Sequence, residues 1–93
     1  MNICFLSGKI ISQPDFKFVL NKNHKIRKKT HICILLTYLE IDEKTILKLK
    51  FYDEIAEFCY KEIHINDNIV IYGIINDTYE IEVNGYYKIK LRQ

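Results

Sequence analysis

The chain has 93 residues, 48% of them hydrophobic, and a formal net charge of +2. That length bounds it to one domain, 1–93, with a small core, and no apolar run approaches the roughly 20 residues of a membrane span. The total charge is too small to announce a nucleic-acid binder, so the distribution of charge has to carry any such case.

Residues 2–20 read as one long bent strand. An apolar run, Ile3-Cys4-Phe5-Leu6, leads through Ser7 into an interior glycine, Gly8, then Lys9, and a turn follows at Pro14-Asp15. Glycine inside a strand marks a bend or a close backbone approach. A first strand that bends at Gly8 can belong to two halves of a small closed barrel, and such barrels commonly hold single-stranded nucleic acid. Asn21 to Lys29 is a polar, basic loop containing Lys22, His24, Lys25, Arg27, Lys28 and Lys29. A second strand, 30–39, is apolar at nearly every position, as if covered on both faces. Glu40 to Lys44 is an acidic turn.

The third strand, 45–52, alternates. Leu47, Leu49 and Phe51 point one way; Ile46, Lys48, Lys50 and Tyr52 point the other. A period of two makes this a core face backed by a basic, aromatic face. The period then changes. Ile55, Ala56, Cys59 and Ile63 recur at helical spacing, with Asp53 as the expected N-cap and an acidic exposed side of Asp53, Glu54, Glu57 and Glu62. A fourth strand covers 69–76. Asn84-Gly85 then suits a type I′ turn, so 79–83 and 86–92 are expected to form a hairpin. Its register puts Tyr79, Ile81, Val83, Tyr86, Lys88 and Lys90 on one face and Glu80, Glu82, Tyr87, Ile89 and Leu91 on the other. The result is an all-β chain with one short helix.

Cys4, Cys33 and Cys59 have no short spacing and lie among apolar residues. They read as reduced, buried thiols of a cytoplasmic protein, and the N-terminus lacks the basic region and cleavage site of a secretion signal. The three histidines have no ligand spacing, and no nucleophile-base set can be assembled. Glu80 and Glu82 share a strand face, which reads as solvated or ion-paired rather than as a carboxylate pair for acid–base work. No catalytic site, metal or cofactor is expected, and the chain is read as not an enzyme.

Three stretches, in order and at matching separations, resemble bacterial single-stranded DNA-binding proteins. The opening Asn2 to Phe16 is similar to that family's start, with Gly8, Lys9, Ile10, Pro14 and Asp15 in place. Phe51 to Glu57 resembles the family's apolar-aromatic strand end followed by Ala-Glu at the start of the helix. Asn66 to Gly73 resembles its next strand, with Asn66 where the family has glycine, and Ala56 to Gly73 keeps the family's spacing without a gap. The resemblance covers nearly the whole chain. It implies a five-stranded oligonucleotide/oligosaccharide-binding (OB) Greek-key barrel and non-sequence-specific binding of single-stranded DNA, usually by a homo-oligomer, in replication, recombination or mobile-element DNA processing. Two family features are missing. The stacking tryptophans are absent, since the chain has no Trp. The acidic C-terminal tail is not expected either, because the chain ends at Gln93; in this it is similar to the dimeric PriB-like branch. Tyr52 matches the position of one stacking aromatic, Tyr79 lies within a residue of another, and Tyr38 lies near a third.

Single-strand binding needs a positive groove for phosphates and exposed rings for base stacking. Tyr38, Tyr52, Tyr79 and Tyr86 are the candidate rings. Lys48, Lys50, Lys88, Lys90 and the Lys22, Lys25, Arg27, Lys28, Lys29 loop are the candidate phosphate contacts. The bland alternative is a solvated strand face whose lysines guard against edge pairing. Segregation of acidic residues onto the helix favours the functional reading. The apolar faces of the first two strands suggest a dimer formed by strand pairing. A second hypothesis is a PriB-like protein-interaction barrel in a replication or conjugation complex, in contact with replication proteins and with weak nucleic-acid affinity. RNA is not separated from DNA by sequence.

Overall fold

The computed structural model describes residues 3–20 and 31–89, and within these the chain forms six strand segments and one helix. They are β1 (Ile3–Ile10), β2 (Asp15–Leu20), β3 (His31–Asp42), β4 (Thr45–Tyr52), α1 (Asp53–Glu62), β5 (Asn68–Ile75) and β6 (Glu80–Lys88). The sheet order is β1-β5-β6-β4-β3-β2, and a further β1–β3 pairing closes it. β1 and β2 are the two halves of one bent first strand: Ile3–Lys9 pairs with β5, Lys9 and Ile10 with β3, and β2 continues along β3. Counted this way, the fold is a closed five-stranded barrel of OB type. All pairings are antiparallel except β4 with β6, where Lys48, Leu49 and Lys50 run beside Glu80, Ile81 and Glu82.

The bend itself falls at residues 11–14, and Gly8 serves the crossing differently. A Cβ there would strike the carbonyl of Glu40 and the side chain of Leu39. Gly8 therefore lets β1 press against β3 where the strand changes partners. Ser12 pins the bend. Its carbonyl accepts the Thr37 hydroxyl (3.0 Å) and its hydroxyl accepts the Tyr38 N–H (3.2 Å). Thr37, a polar residue in the core, is satisfied in this way.

Leu35, Leu39, Leu49, Phe51, Ile69, Ile71 and Ile81 fill the barrel, and α1 closes one end with Ala56 and Cys59, followed by Ile63. The alternation expected for β4 holds, with Leu49 and Phe51 buried and Ile46 half exposed. Helical spacing also placed Ala56, Cys59 and Ile63 correctly. The N-cap did not fall on Asp53. Tyr52 occupies the cap position without a side-chain cap hydrogen bond, and Asp53 takes a left-handed φ of 54°, which short polar side chains tolerate better than most.

The Asn84-Gly85 hairpin is not formed. β6 runs straight through both residues, and neither has a positive φ. Asn84 is instead the extra residue of a bulge: Tyr72 is opposite Gly85 while Gly73 is opposite Val83. The hairpin turn lies earlier, at residues 76–79, between β5 and β6. There Asn76 accepts the Thr78 and Glu80 N–H groups (3.0 Å each), and Tyr79 adopts φ 60°.

Cys4, Cys33 and Cys59 are free thiols; Cys33 and Cys59 are buried and Cys4 is half-buried. No helix among the described residues is long and apolar enough to cross a membrane.

Candidate nucleic-acid interface

The outer surface of β3, β4 and β6 carries the residues that the sequence singled out on the third strand. Strand register sets them in rows: Tyr38 opposite Lys48 opposite Glu80, then Leu36 opposite Lys50 opposite Glu82, then Ile34 opposite Tyr52. β2 extends the sheet sideways, with Asp15 opposite Leu36 and Lys17 opposite Ile34. Tyr38 is 43% exposed, and Tyr52, Lys48 and Lys50 are half-buried. A cavity of about 250 Å³ beside Tyr52 is lined by Ile55, Glu82, Val83 and Asn84. It is smaller than the ~300 Å³ at which small-molecule clefts begin. The surface is thus an open, shallow face rather than a pocket.

The face is less positive than its lysines suggest. Glu80 bridges both of them, at 3.1 Å from Lys50 and 3.5 Å from Lys48. The hydrogen bond from Lys50 is the main reason its carboxyl is held down at about 2, with Thr78 and Asn76 helping. Lys17, which the sequence reading did not single out, lies on the same face in an exposed pair with Asp15 at 3.3 Å.

Tyr79 sits at the β5–β6 turn, 73% exposed, next in the chain to Glu80. Tyr86 and Lys88 are not on this face. Their grouping with Ile81 and Val83 was right, but that group faces the core. Tyr86 packs against the core and sits 6.2 Å from the Phe58 ring on α1. Lys88 closes the barrel end, reaching Asp67 (3.2 Å) and the Glu62 carbonyl (2.8 Å). Lys22, Lys25, Arg27, Lys28, Lys29 and Lys90 lie outside the described residues.

A second exposed apolar surface lies on the outer side of β1, β5 and β6. Phe5 and Tyr72 are register partners and stack there, with Ile3 and Tyr87 nearby, both about as exposed as Phe5. The signal for it was the odd-numbered positions Ile3 and Phe5 in an unbroken apolar run, which alternation sends outward when Leu6 and Ile10 go in. α1 likewise presents Phe58 and Tyr60 among its acidic residues. Among the described residues, no group of His, Cys, Asp and Glu side chains could hold a metal ion.

Neither a family model nor a curated protein sequence matches the chain. Among solved structures, the crystal structure of the SSB domain of a Synechococcus protein superimposes with a TM-score of 0.73 at 17% sequence identity, covering 94% of each chain. The chain has the fold of an SSB domain. The superposition extends over nearly the full length of both chains. At that identity the likeness is one of backbone path, so the character of the binding face rests on this chain's own residues.

Proposed function

We propose that the chain, as one OB domain over residues 1–93, binds single-stranded DNA without sequence preference and is not an enzyme. The observation that carries this reading is the row structure of the β3–β4 surface, where Tyr38, Tyr52, Lys48 and Lys50 occupy one continuous outer face of an SSB-type barrel. Tyr38, Tyr52 and Tyr79 would stack bases, each worth about 1–3 kcal/mol. Lys48 and Lys50 would meet phosphates, and the basic residues of the 22–29 segment would be further phosphate contacts. Such a protein would coat or hand over strands in the cytoplasm, in replication, recombination or mobile-element DNA processing. Titration with oligo-dT at two salt concentrations, followed by tyrosine fluorescence, tests the proposal. The expected result is quenching and salt-sensitive binding that weakens sharply in the Tyr52→Ala/Lys50→Ala double variant. Undiminished binding by that variant would remove the β3–β4 face from the site.

The same reading includes self-association, with a dimer favoured. The β1 edge supports it. Ile3–Gly8 pairs with β5 on one side, while the β3 pairing on the other side begins only at Lys9. The PriB-like reading, a protein-interaction barrel with weak nucleic-acid affinity, draws on a different observation. Glu80 already neutralises part of the lysine pair, and an exposed aromatic pair, Phe5 and Tyr72, lies away from it on β1 and β5. Failure to bind oligo-dT even at low salt, with capture of a replication protein, would favour that second reading. Competition between matched DNA and RNA oligomers decides which strand is preferred.

A further inference from the structure

The turn between β5 and β6 is organised around one carboxylate. Asn76 Oδ1 accepts the backbone N–H groups of Thr78 and Glu80, which fixes the turn and sets the start of β6. The Asn76 amide then lies 3.4 Å from Glu80 Oε1 and the Thr78 hydroxyl 3.1 Å from it. From the other side, across the parallel β4–β6 pairing, Lys50 Nζ comes to 3.1 Å of Oε1 and Lys48 Nζ to 3.5 Å of Oε2. Two ammonium groups, a hydroxyl and an amide converge on a single anion. Charged and neutral donors in this arrangement suit a phosphate as well as a carboxylate.

We propose that Glu80 occupies a phosphate position of the binding face, so that a nucleic-acid strand crossing β4 must displace the Glu80 carboxylate from Lys48 and Lys50. This rests on the single-stranded DNA reading above. A phosphate seated at contact distance on both ammonium groups would meet the Glu80 carboxylate at close range, like charge against like charge, and the three side chains together carry +1 rather than the +2 of the lysines alone. Ion pairs open to solvent are weak enough for a polyanion to break. Glu80 therefore lowers the field that draws a strand in. With its carboxyl held at about 2 by Lys50, Glu80 stays ionised across the working pH range. Displacement is then a competition between anions and not a protonation switch.

Glu80→Gln tests this. The amide keeps the shape and the contacts to Asn76 and Thr78 while removing the charge. Oligo-dT binding at low salt should tighten about 3- to 10-fold in the variant, the range expected when two exposed pairs no longer compete. The dependence of affinity on salt should steepen by up to about 0.7 for each additional phosphate that the freed lysines neutralise. In a Lys48→Gln/Lys50→Gln background, the same Glu80→Gln change should shift binding by less than about twofold, because only screened, longer-range repulsion is left to relieve. An equal gain in that background would mean a general charge effect and would overturn the proposal. So would native binding that Glu80→Gln leaves unchanged or weakens, the latter marking Glu80 as a residue that positions the lysines. Absence of oligo-dT binding by the native chain would instead bring down the single-strand reading, and this inference with it.

Discussion

Phe5 on β1 and Tyr72 on β5 stack across the outside of the barrel, with ring centroids 5.5 Å apart and planes 28° from parallel. Phe5 is nevertheless 72% exposed and Tyr72 44%. Aromatic surface left open beside a strand edge that no other described residue pairs with is the kind of patch that finds a partner. The expected outcome is a light-scattering mass above that of one chain, which Phe5→Asp returns to the single-chain value. A native mass equal to one chain would dismiss self-association through this face.

Gly8 is needed for the close approach of β1 to β3. Gly8→Ala would drive a methyl group into the Glu40 carbonyl, backbone that cannot swing aside. We expect a loss of about 2 kcal/mol or more in urea unfolding. Asn84→Ala is the control. Asn84 is exposed and has no positive φ, so its replacement should stay within about 0.5 kcal/mol. A large loss at Asn84 would show that the dipeptide does form a tight turn.

These two positions also mark what the sequence could and could not convey. Both periodicities were legible because burial enforces them: period two in β4, where Leu49 and Phe51 go in and Lys48 and Lys50 stay outside, and helical spacing at Ala56, Cys59 and Ile63. That the first strand bends was legible from Pro14, but the bend falls at residues 11–14 and not at Gly8, which serves the close approach to β3. Asn84-Gly85 misled because a local turn preference yields to a strand whose neighbours, Ile81 and Val83, are core residues. A bulge and a two-residue turn shift side-chain parity alike, so both put Tyr86 and Lys88 with Val83. Only the tertiary structure shows that this shared face points inward. The Glu80 bridge was hidden for a related reason: the β4–β6 pairing is parallel and distant in sequence, and nothing local announces it.

Ser12 couples the bend after β1 to the candidate face. Its hydroxyl accepts the Tyr38 N–H and lies 3.1 Å from the Thr37 hydroxyl. Ser12→Ala removes both contacts next to a buried polar residue, which should cost about 1 kcal/mol of stability. It should also weaken oligo-dT binding modestly, through Tyr38, without changing the salt dependence. Unaltered stability would mean that water replaces the hydroxyl and that the bend is held by backbone alone.

Alkaline pH should loosen the packing of α1 against the barrel. Burial pushes the Cys59 thiol from its ordinary 9.0 up to about 12, and burial together with the neighbouring thiol pushes Tyr86 from 10.0 to about 12. The folded chain thus keeps two protons that the unfolded chain gives up. Stability falls wherever the unfolded state binds fewer protons. This contribution is therefore fully present below about pH 9 and is lost progressively as pH rises from 9 to 12. Urea unfolding at pH 8 and pH 10.5 should show a clear decrease for the native chain. Cys59→Ala starts from a lower stability, because a buried side chain is trimmed, but its decrease between the two pH values should be smaller. Tyr86→Phe should leave the onset near pH 9 in place and flatten the fall above pH 10. If Cys59→Ala loses as much between pH 8 and 10.5 as the native chain does, the thiol is not the group being titrated and the alkaline limit lies elsewhere in the fold.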